Sequence, residues 1–341
     1  MEQVEVTHRL WDPVQQYAMI ENALRVAEGR TLAQHRDEVA DLWGRFNRVA
    51  RSNPAAAFPA PLEPDEIATA SRSNRPLAFP YNKWHSTQWT VNQAAALLFC
   101  SVATARRLGV PTDRWVFPRV GLESGHAVSL LRRATPHTWP AMAVLGRAAA
   151  ERIGRPLAEI EHVELYSCFP AAVRVQQRML GLATSGTPTL TGGMAFAGGP
   201  FNNFVLQSMV PMVAALRAEP GSLGLVTTVS GLLTKPGIGV WSTTPDGSPP
   251  LVADLADRAG AATGTLAVVE TLDGYEGEAT VATYTVTYDG MAPVRTVAVC
   301  DLPDGRRSVA VAEDPDLAVE AVAHEFIGRS VQLAGGSLTL A

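Results

Sequence analysis

Cysteine is scarce in this chain. Cys100, Cys168 and Cys300 stand far apart and form no C-x-x-C pair, which leaves no thiolate zinc site and no disulfide framework to read and suits a reducing compartment. Runs of lysine and arginine are missing, and the net charge is −5, so a basic groove for nucleic acid is not expected. The longest apolar run, Ala94 to Ala103, is too short to cross a bilayer. The opening M-E-Q-V-E-V-T-H lacks the basic and apolar regions of a signal peptide. We therefore expect a cytoplasmic protein with no metal site, no membrane span and no nucleic-acid partner.

Apolar bulk is plentiful: 47% of the 341 residues are hydrophobic and 18% charged, enough for a large core shared by roughly two or three domains. Val4 and Val6 suit a short strand. Asp12-Pro13 caps a helix with an apolar stripe of Tyr17, Ile20, Leu24 and Val26, and Gly29 stops it. Thr31 caps a second helix, apolar at Val39, Leu42, Trp43 and Phe46, which ends before Asn53-Pro54. Prolines and aromatics fill 54–90, a long loop region of the kind that carries function or covers a partner. Val91 to Leu108 returns to a strand-or-helix apolar pattern, and Cys100 within it reads as a core residue.

Strands and helices then alternate: Trp115–Phe117, a helix over 141–153, a buried strand over Ile160–Tyr166, a helix over 171–180 and a strand over 224–231. That alternation argues for stacked α/β layers. From 264 onward β-branched runs take over, at 266–270, 279–288, 294–302 and 308–312, with Asp289-Gly290 and Asp304-Gly305 as turns, a helix over 316–324 and a last strand over 327–333. The expected division is 1–112, 113–255 and a separate, small β-rich α+β domain over 264–341.

The stretch Thr191 to Phe204, T-G-G-M-A-F-A-G-G-P-F-N-N-F, holds four glycines and runs into an apolar helix. Glycine permits positive φ and close backbone approach, and a turn feeding a helix can offer free N–H groups to an anion. Asn202 and Asn203 suit the cap. Two readings stand side by side, a ligand cradle and a tight turn packed under a buried helix.

Three separated stretches resemble the thiolase superfamily. Glu164 to Phe169, E-L-Y-S-C-F, sits where thiolases carry N-E-A-F or H-D-C-F. Gly192-Gly193 through Gly198-Gly199-Pro200 resembles the G-G-x-x-x-x-G-H-P loop, and Thr228-Val229-Ser230-Gly231 resembles the strand ending in C-x-G. The whole chain looks most like the acetyl-CoA acetyltransferase-family, thiolase-like proteins of mycobacteria that carry an extra C-terminal domain, here 264–341. The resemblance implies a layered α/β thiolase fold, incomplete at its N-terminus, with a nucleophile-bearing segment expected before Asp12. It also implies a protein partner completing that half.

Thiolase chemistry uses a nucleophilic cysteine, a histidine in G-H-P, a second cysteine in C-x-G and an oxyanion hole. The matching positions here are Gly199 for the histidine, Val229 beside Ser230 for the second cysteine, and Tyr166-Ser167 for the Asn-Glu pair. His85, His126, His137, His162 and His324 all lie elsewhere. The resemblance thus implies a protein of lipid and acyl-CoA metabolism that lacks the standard catalytic set and binds an acyl-CoA or related thioester, with no other cofactor. Tyr166 and Cys168, on one face at a strand end, are the candidate catalytic residues. Ser167, Gly198, Gly199, Asn202, Asn203 and Ser230 are the candidate ligand contacts. The alternatives are a tyrosine-dependent retro-aldol lyase or divergent acyltransferase, or a non-catalytic subunit. Tyr166 and Cys168 could equally be filling volume.

Overall fold

The computed structural model describes residues 2–264 and 268–341. A five-stranded sheet runs in the order His162–Glu164, Leu223–Ser230, Lys235–Ser242, Phe117–Glu123, Leu251–Asp254. Its outer pairs are parallel and its inner pairs antiparallel. The strand Leu223–Ser230 is buried on both faces, and its period of two divides its side chains between two cores. Leu223, Leu225 and Val229 join the main core, whereas Val226 meets Met209, Met212 and Leu216 of the helix Asn203–Ala218. The main-core side is covered by the helix Pro140–Ile153, which packs against Pro170–Leu180.

The helix Pro13–Ala27 forms the next layer. Asp12 caps it, accepting from the Val14 N–H at 3.2 Å, and proline opens it. It is buried from Gln16 to Arg25, because Pro170–Leu180 lies on one side and a second sheet on the other. Two hydrogen bonds tie it to that sheet: Asn22 donates to the Tyr284 carbonyl at 3.0 Å, and the Thr283 hydroxyl donates to the Met19 carbonyl at 2.6 Å.

That second sheet closes into a barrel. Strands Gly277–Asp289, Ala292–Asp301 and Arg307–Ala312 form an antiparallel meander. The helix Pro315–Ala323 follows, then Ser330–Ala334 and Ser337–Leu340. The last strand runs parallel to Arg307–Ala312, and Ser330–Ala334 pairs back onto Gly277–Asp289. This is the connectivity of an OB-fold. Ala298, Cys300, Ala310 and Ala312 point into the barrel with Tyr284 and Phe326, while Val297, Val299 and Val309 point out into the main core. The outer face of the second and third strands, where OB-folds bind oligonucleotides, is therefore covered by the rest of this chain.

Rather than standing apart, the C-terminal region is built into the body. The hairpin Pro76–Ala78 and Tyr81–Asn82 extends its sheet, with Ala78 opposite Thr287. Buried Arg307 reaches across with its guanidinium, donating to the Arg133 carbonyl at 2.5 Å and the Asp301 carboxylate at 2.7 Å.

Several expectations need correction. Val4 and Val6 lie in a helix, Gln3–Thr7, not a strand; the Glu5 side chain takes the Glu2 N–H at 2.7 Å and closes its first turn. Strand structure begins at Phe117 rather than Trp115, because Thr112–Arg114 is a 3₁₀ turn. Residues 91–101 belong to no helix or strand, and only Val102–Arg107 is helical. Cys100 is exposed, not core. The chain ends on an unexpected strand, Ser337–Leu340. The strand expected over 266–270 falls partly on 265–267, outside the described residues. Among the described residues no helix is long and apolar enough to cross a membrane.

Candidate functional site

Tyr166 and Cys168 sit just past the end of the short strand His162–Glu164. The peptide there is pinned by a closed set of bonds. The Tyr166 N–H donates to Thr227 Oγ1 at 2.9 Å, Gln176 Nε2 donates to the Tyr166 carbonyl at 2.8 Å, and Thr227 Oγ1 donates to Gln176 Oε1 at 2.6 Å. The Tyr166 ring meets Phe204 edge-on, centroids 5.7 Å apart. The Cys168 thiol lies beside the hydroxyl of buried Tyr17, which stacks on Phe169 at 4.6 Å.

Burial dominates the electrostatics of this cluster. It pushes the Cys168 thiol up to about 12, against the smaller opposing effect of the Tyr17 hydroxyl. It raises Tyr166 and Tyr17 well above an ordinary phenol. All three are neutral near pH 7. A thiol in that state is a poor nucleophile, and the tyrosines are hydrogen-bond donors rather than bases.

The glycine stretch is occupied by its own protein. Glu164, fully buried, accepts from the Leu190 and Thr191 N–H groups at 2.6 and 2.9 Å, and from the hydroxyls of Thr189 and Thr191 at 2.9 and 3.0 Å. The Gly192, Gly193 and Met194 N–H groups donate to the hydroxyls of Thr189, Thr191 and Ser167. These amides are thus spent on the loop itself, and the packing reading holds for its first half. Gly192 has φ +95, and a Cβ there would lie 2.4 Å from Ala50 Cβ. A Cβ on Gly199 would meet Met194 Cε and Thr87 Cγ2, each at 2.7 Å.

The candidate contacts therefore separate. Ser167 is buried and holds Met194. Gly198 is packed against Gln93. Asn202 is exposed and makes no side-chain cap bond. Asn203, the first helical residue, has a buried Nδ2 without a hydrogen-bond partner. Ser230 is exposed at the end of its strand. The structure brings Tyr166, Cys168, Tyr17 and Phe204 together and leaves Asn202 and Ser230 at the surface.

A family model for the thiolase-like protein type 1 additional C-terminal domain matches residues 261–335, the barrel. The crystal structure of a monomeric SCP2-thiolase-like protein type 1 from Mycobacterium smegmatis is 33% identical, with a TM-score of 0.88 over 97% of this chain and 74% of its own. This chain belongs to the SCP2-thiolase-like proteins of type 1. The Ltp2–ChsH2(DUF35) aldolase shares the fold at 17% identity, with a TM-score of 0.53 over 69% of this chain and 65% of its own. No curated protein matches the chain in sequence.

Within this type 1 thiolase-like chain, sequence reasoning missed a buried polar network beside the site. Glu21 accepts from the Tyr81 hydroxyl at 2.5 Å, from His35 Nε2 at 2.8 Å and from Arg174 at 3.2 Å. Burial alone would raise its carboxyl, yet these partners hold it down at about 2. Tyr81 in turn accepts the Ala171 N–H at the start of the helix below Cys168. A cavity of about 350 Å³ is lined by Glu21, His35, Tyr81 and His85. The one available signal was Glu21 four residues after Tyr17, on the stripe meant for the core. Its partners lie up to 153 residues away.

Proposed function

We propose that this chain binds an acyl-CoA or a related thioester and does not cleave it by thiolysis or form it by Claisen condensation. The observation that carries this reading is Cys168, held as a neutral thiol by burial with a tyrosine rather than a histidine beside it. Tyr166 and Cys168 are then neutral donors toward a thioester carbonyl oxygen, Asn203 supplies an amide donor at the edge, and Gly198, Gly199 and Ser167 shape the wall. Such a protein belongs to acyl-CoA metabolism as a carrier or sensor of thioesters. Titration calorimetry with acetoacetyl-CoA tests it: saturable heat is expected, weakened by Tyr166→Phe, with thiolysis at background. Turnover abolished by Cys168→Ala would overturn it.

A second reading is favoured by Tyr166 itself. A phenol that burial keeps protonated is a general acid rather than a base, which suits proton delivery in retro-aldol cleavage of a β-hydroxyacyl thioester. Cleavage lost in Tyr166→Phe supports this reading, and equal cleavage by both chains refutes it.

A further inference from the structure

The cavity beside Glu21 and His35 lies where three parts of the chain meet. The helices Pro13–Ala27 and Leu32–Ser52 form one side, residues 68–85 a second, and Tyr288 and Val322 of the C-terminal barrel a third. Its volume of about 350 Å³ falls within the roughly 300–1,000 Å³ of small-molecule sites, which favour such junctions. Leu32, Val39, Phe79 and Val322 make much of the wall apolar. Tyr17, Tyr166 and Cys168 are not part of it, so the cavity is distinct from the thioester site.

Three polar residues of the wall are incompletely paired. Asn22, Arg25 and His85 are 0, 1 and 4% exposed. Asn22 Oδ1, Arg25 Nε and His85 Nε2 each meet no hydrogen-bond partner among the described residues. The other polar atoms of these groups are engaged. Asn22 Nδ2 donates to the Tyr284 carbonyl, the terminal nitrogens of Arg25 hold the Glu325 carboxylate at 2.6 and 2.9 Å, and His85 Nδ1 accepts the Asn82 N–H at 3.0 Å. That last bond fixes the tautomer: burial keeps the imidazole neutral at pH 7, so its hydrogen is on Nε2. The wall thus offers two donors, Arg25 Nε and His85 Nε2, and one acceptor, Asn22 Oδ1. Buried polar groups are nearly always hydrogen-bonded, and three unpaired ones on a single cavity wall call for a molecule that pairs them. Every arginine and carboxylate of the wall already has a counter-charge, Arg25 with Glu325, Arg36 with Asp37 and Glu21 with Arg174. An ion would enter with its own charge unmatched.

We infer that this cavity is a binding site for an uncharged small molecule with a carboxamide head and an apolar body. The carbonyl oxygen of the head accepts from Arg25 Nε and His85 Nε2, and its N–H donates to Asn22 Oδ1. Asn22 and Arg25 stand three residues apart on one helix face, so neighbouring atoms of one head group serve both. The body packs on Leu32, Val39, Phe79 and Val322. Val39 belongs to the helix Leu32–Ser52 and Val322 to the barrel helix Pro315–Ala323, so the ligand bridges the barrel and the helical layer.

The probe is benzamide, titrated into the full 341-residue chain and followed by nuclear magnetic resonance. Saturable shifts of the Arg25 Nε–H and His85 Nε2–H resonances are expected, with a rise in melting temperature. N,N-dimethylbenzamide, which has no hydrogen to give Asn22, should bind about tenfold more weakly, and benzoate should bind no better. Ala70→Trp, at an exposed residue of the wall, fills the space and abolishes the shifts while leaving the melting temperature of the ligand-free chain in place. Ala33→Trp, at a second exposed wall residue, repeats the block from the helix side if Ala70→Trp fails to fold. Absence of saturable shifts at Arg25 and His85 overturns the inference and leaves the cavity to water. Binding that survives both blocks places benzamide elsewhere and overturns it too. Equal or tighter binding of N,N-dimethylbenzamide or benzoate overturns the uncharged carboxamide head.

Discussion

Glu164 should make this protein lose stability as pH rises through neutrality. Its carboxyl is fully buried and is raised from 4.5 to about 7 by burial, despite four hydrogen bonds from residues 189–191 that oppose the rise. The folded state therefore holds a proton between pH 4.5 and 7 that the unfolded chain has released. Stability from this group is full below about 4.5 and falls as pH climbs through about 7. At about 1.4 kcal/mol per pH unit the loss reaches about 3 kcal/mol. The two backbone donors on Oε2 cannot reverse, so the proton belongs on Oε1, where a threonine hydroxyl can turn to accept it. Glutamine reproduces that protonated arrangement. Glu164→Gln should match the parent in urea unfolding at pH 5 and exceed it by about 3 kcal/mol at pH 8. Comparing the two chains removes the histidines from the result. His85, pushed down to about 4 by burial, adds stability with rising pH in both. A Glu164→Gln chain less stable than the parent at pH 8 would refute the reasoning, showing the loop to depend on a charged carboxylate.

Thiol labelling of the native protein at pH 7.5 should modify one cysteine quickly, Cys100, which is exposed, while Cys168, partly exposed but pushed up to about 12, reacts far more slowly and buried Cys300 only on unfolding; mass spectrometry after Cys100→Ser checks this by the loss of the fast phase. Gly199→His places a Cβ against Met194 and Thr87, so the melting temperature should fall, with a cost of about 1–3 kcal/mol, and no thiolysis should appear. Arg307→Ala strands three carbonyls of the 131–134 segment and leaves the half-exposed Asp301 to water, for a loss of about 1–3 kcal/mol in chemical denaturation.

What the sequence disclosed was local. Asp12-Pro13, the Thr31 cap, and Gly154 at φ +74 ending its helix are signals carried within a few residues, and so is the turn at Asp289-Gly290. What stayed hidden depends on residues far away. The strand expected over Ile160–Tyr166 stops at Glu164 because Leu165 donates instead to the Pro188 carbonyl and Tyr166 to a threonine side chain. The barrel closes only through pairing of Ser330–Ala334 with a strand some fifty residues earlier. At the site, the tyrosine and cysteine were visible by position, but the glycine loop gave no sign that Glu164, Thr189 and Thr191 consume its amides. Cys100 looked like core because its neighbours are apolar, and a single chain does not say which face is covered.

The burial of Pro13–Ala27 between the α/β layers and the barrel has a consequence for synthesis. Its partners Thr283 and Tyr284 lie 264 and 262 residues downstream of Met19 and Asn22. At typical translation rates that is a wait of roughly ten to fifty seconds. Throughout that interval the helix leaves the ribosome with one apolar flank uncovered. A helix made more than 250 residues before the barrel strands is among the last to be sealed, so nascent chains of this protein should be sustained clients of holding chaperones until those strands emerge.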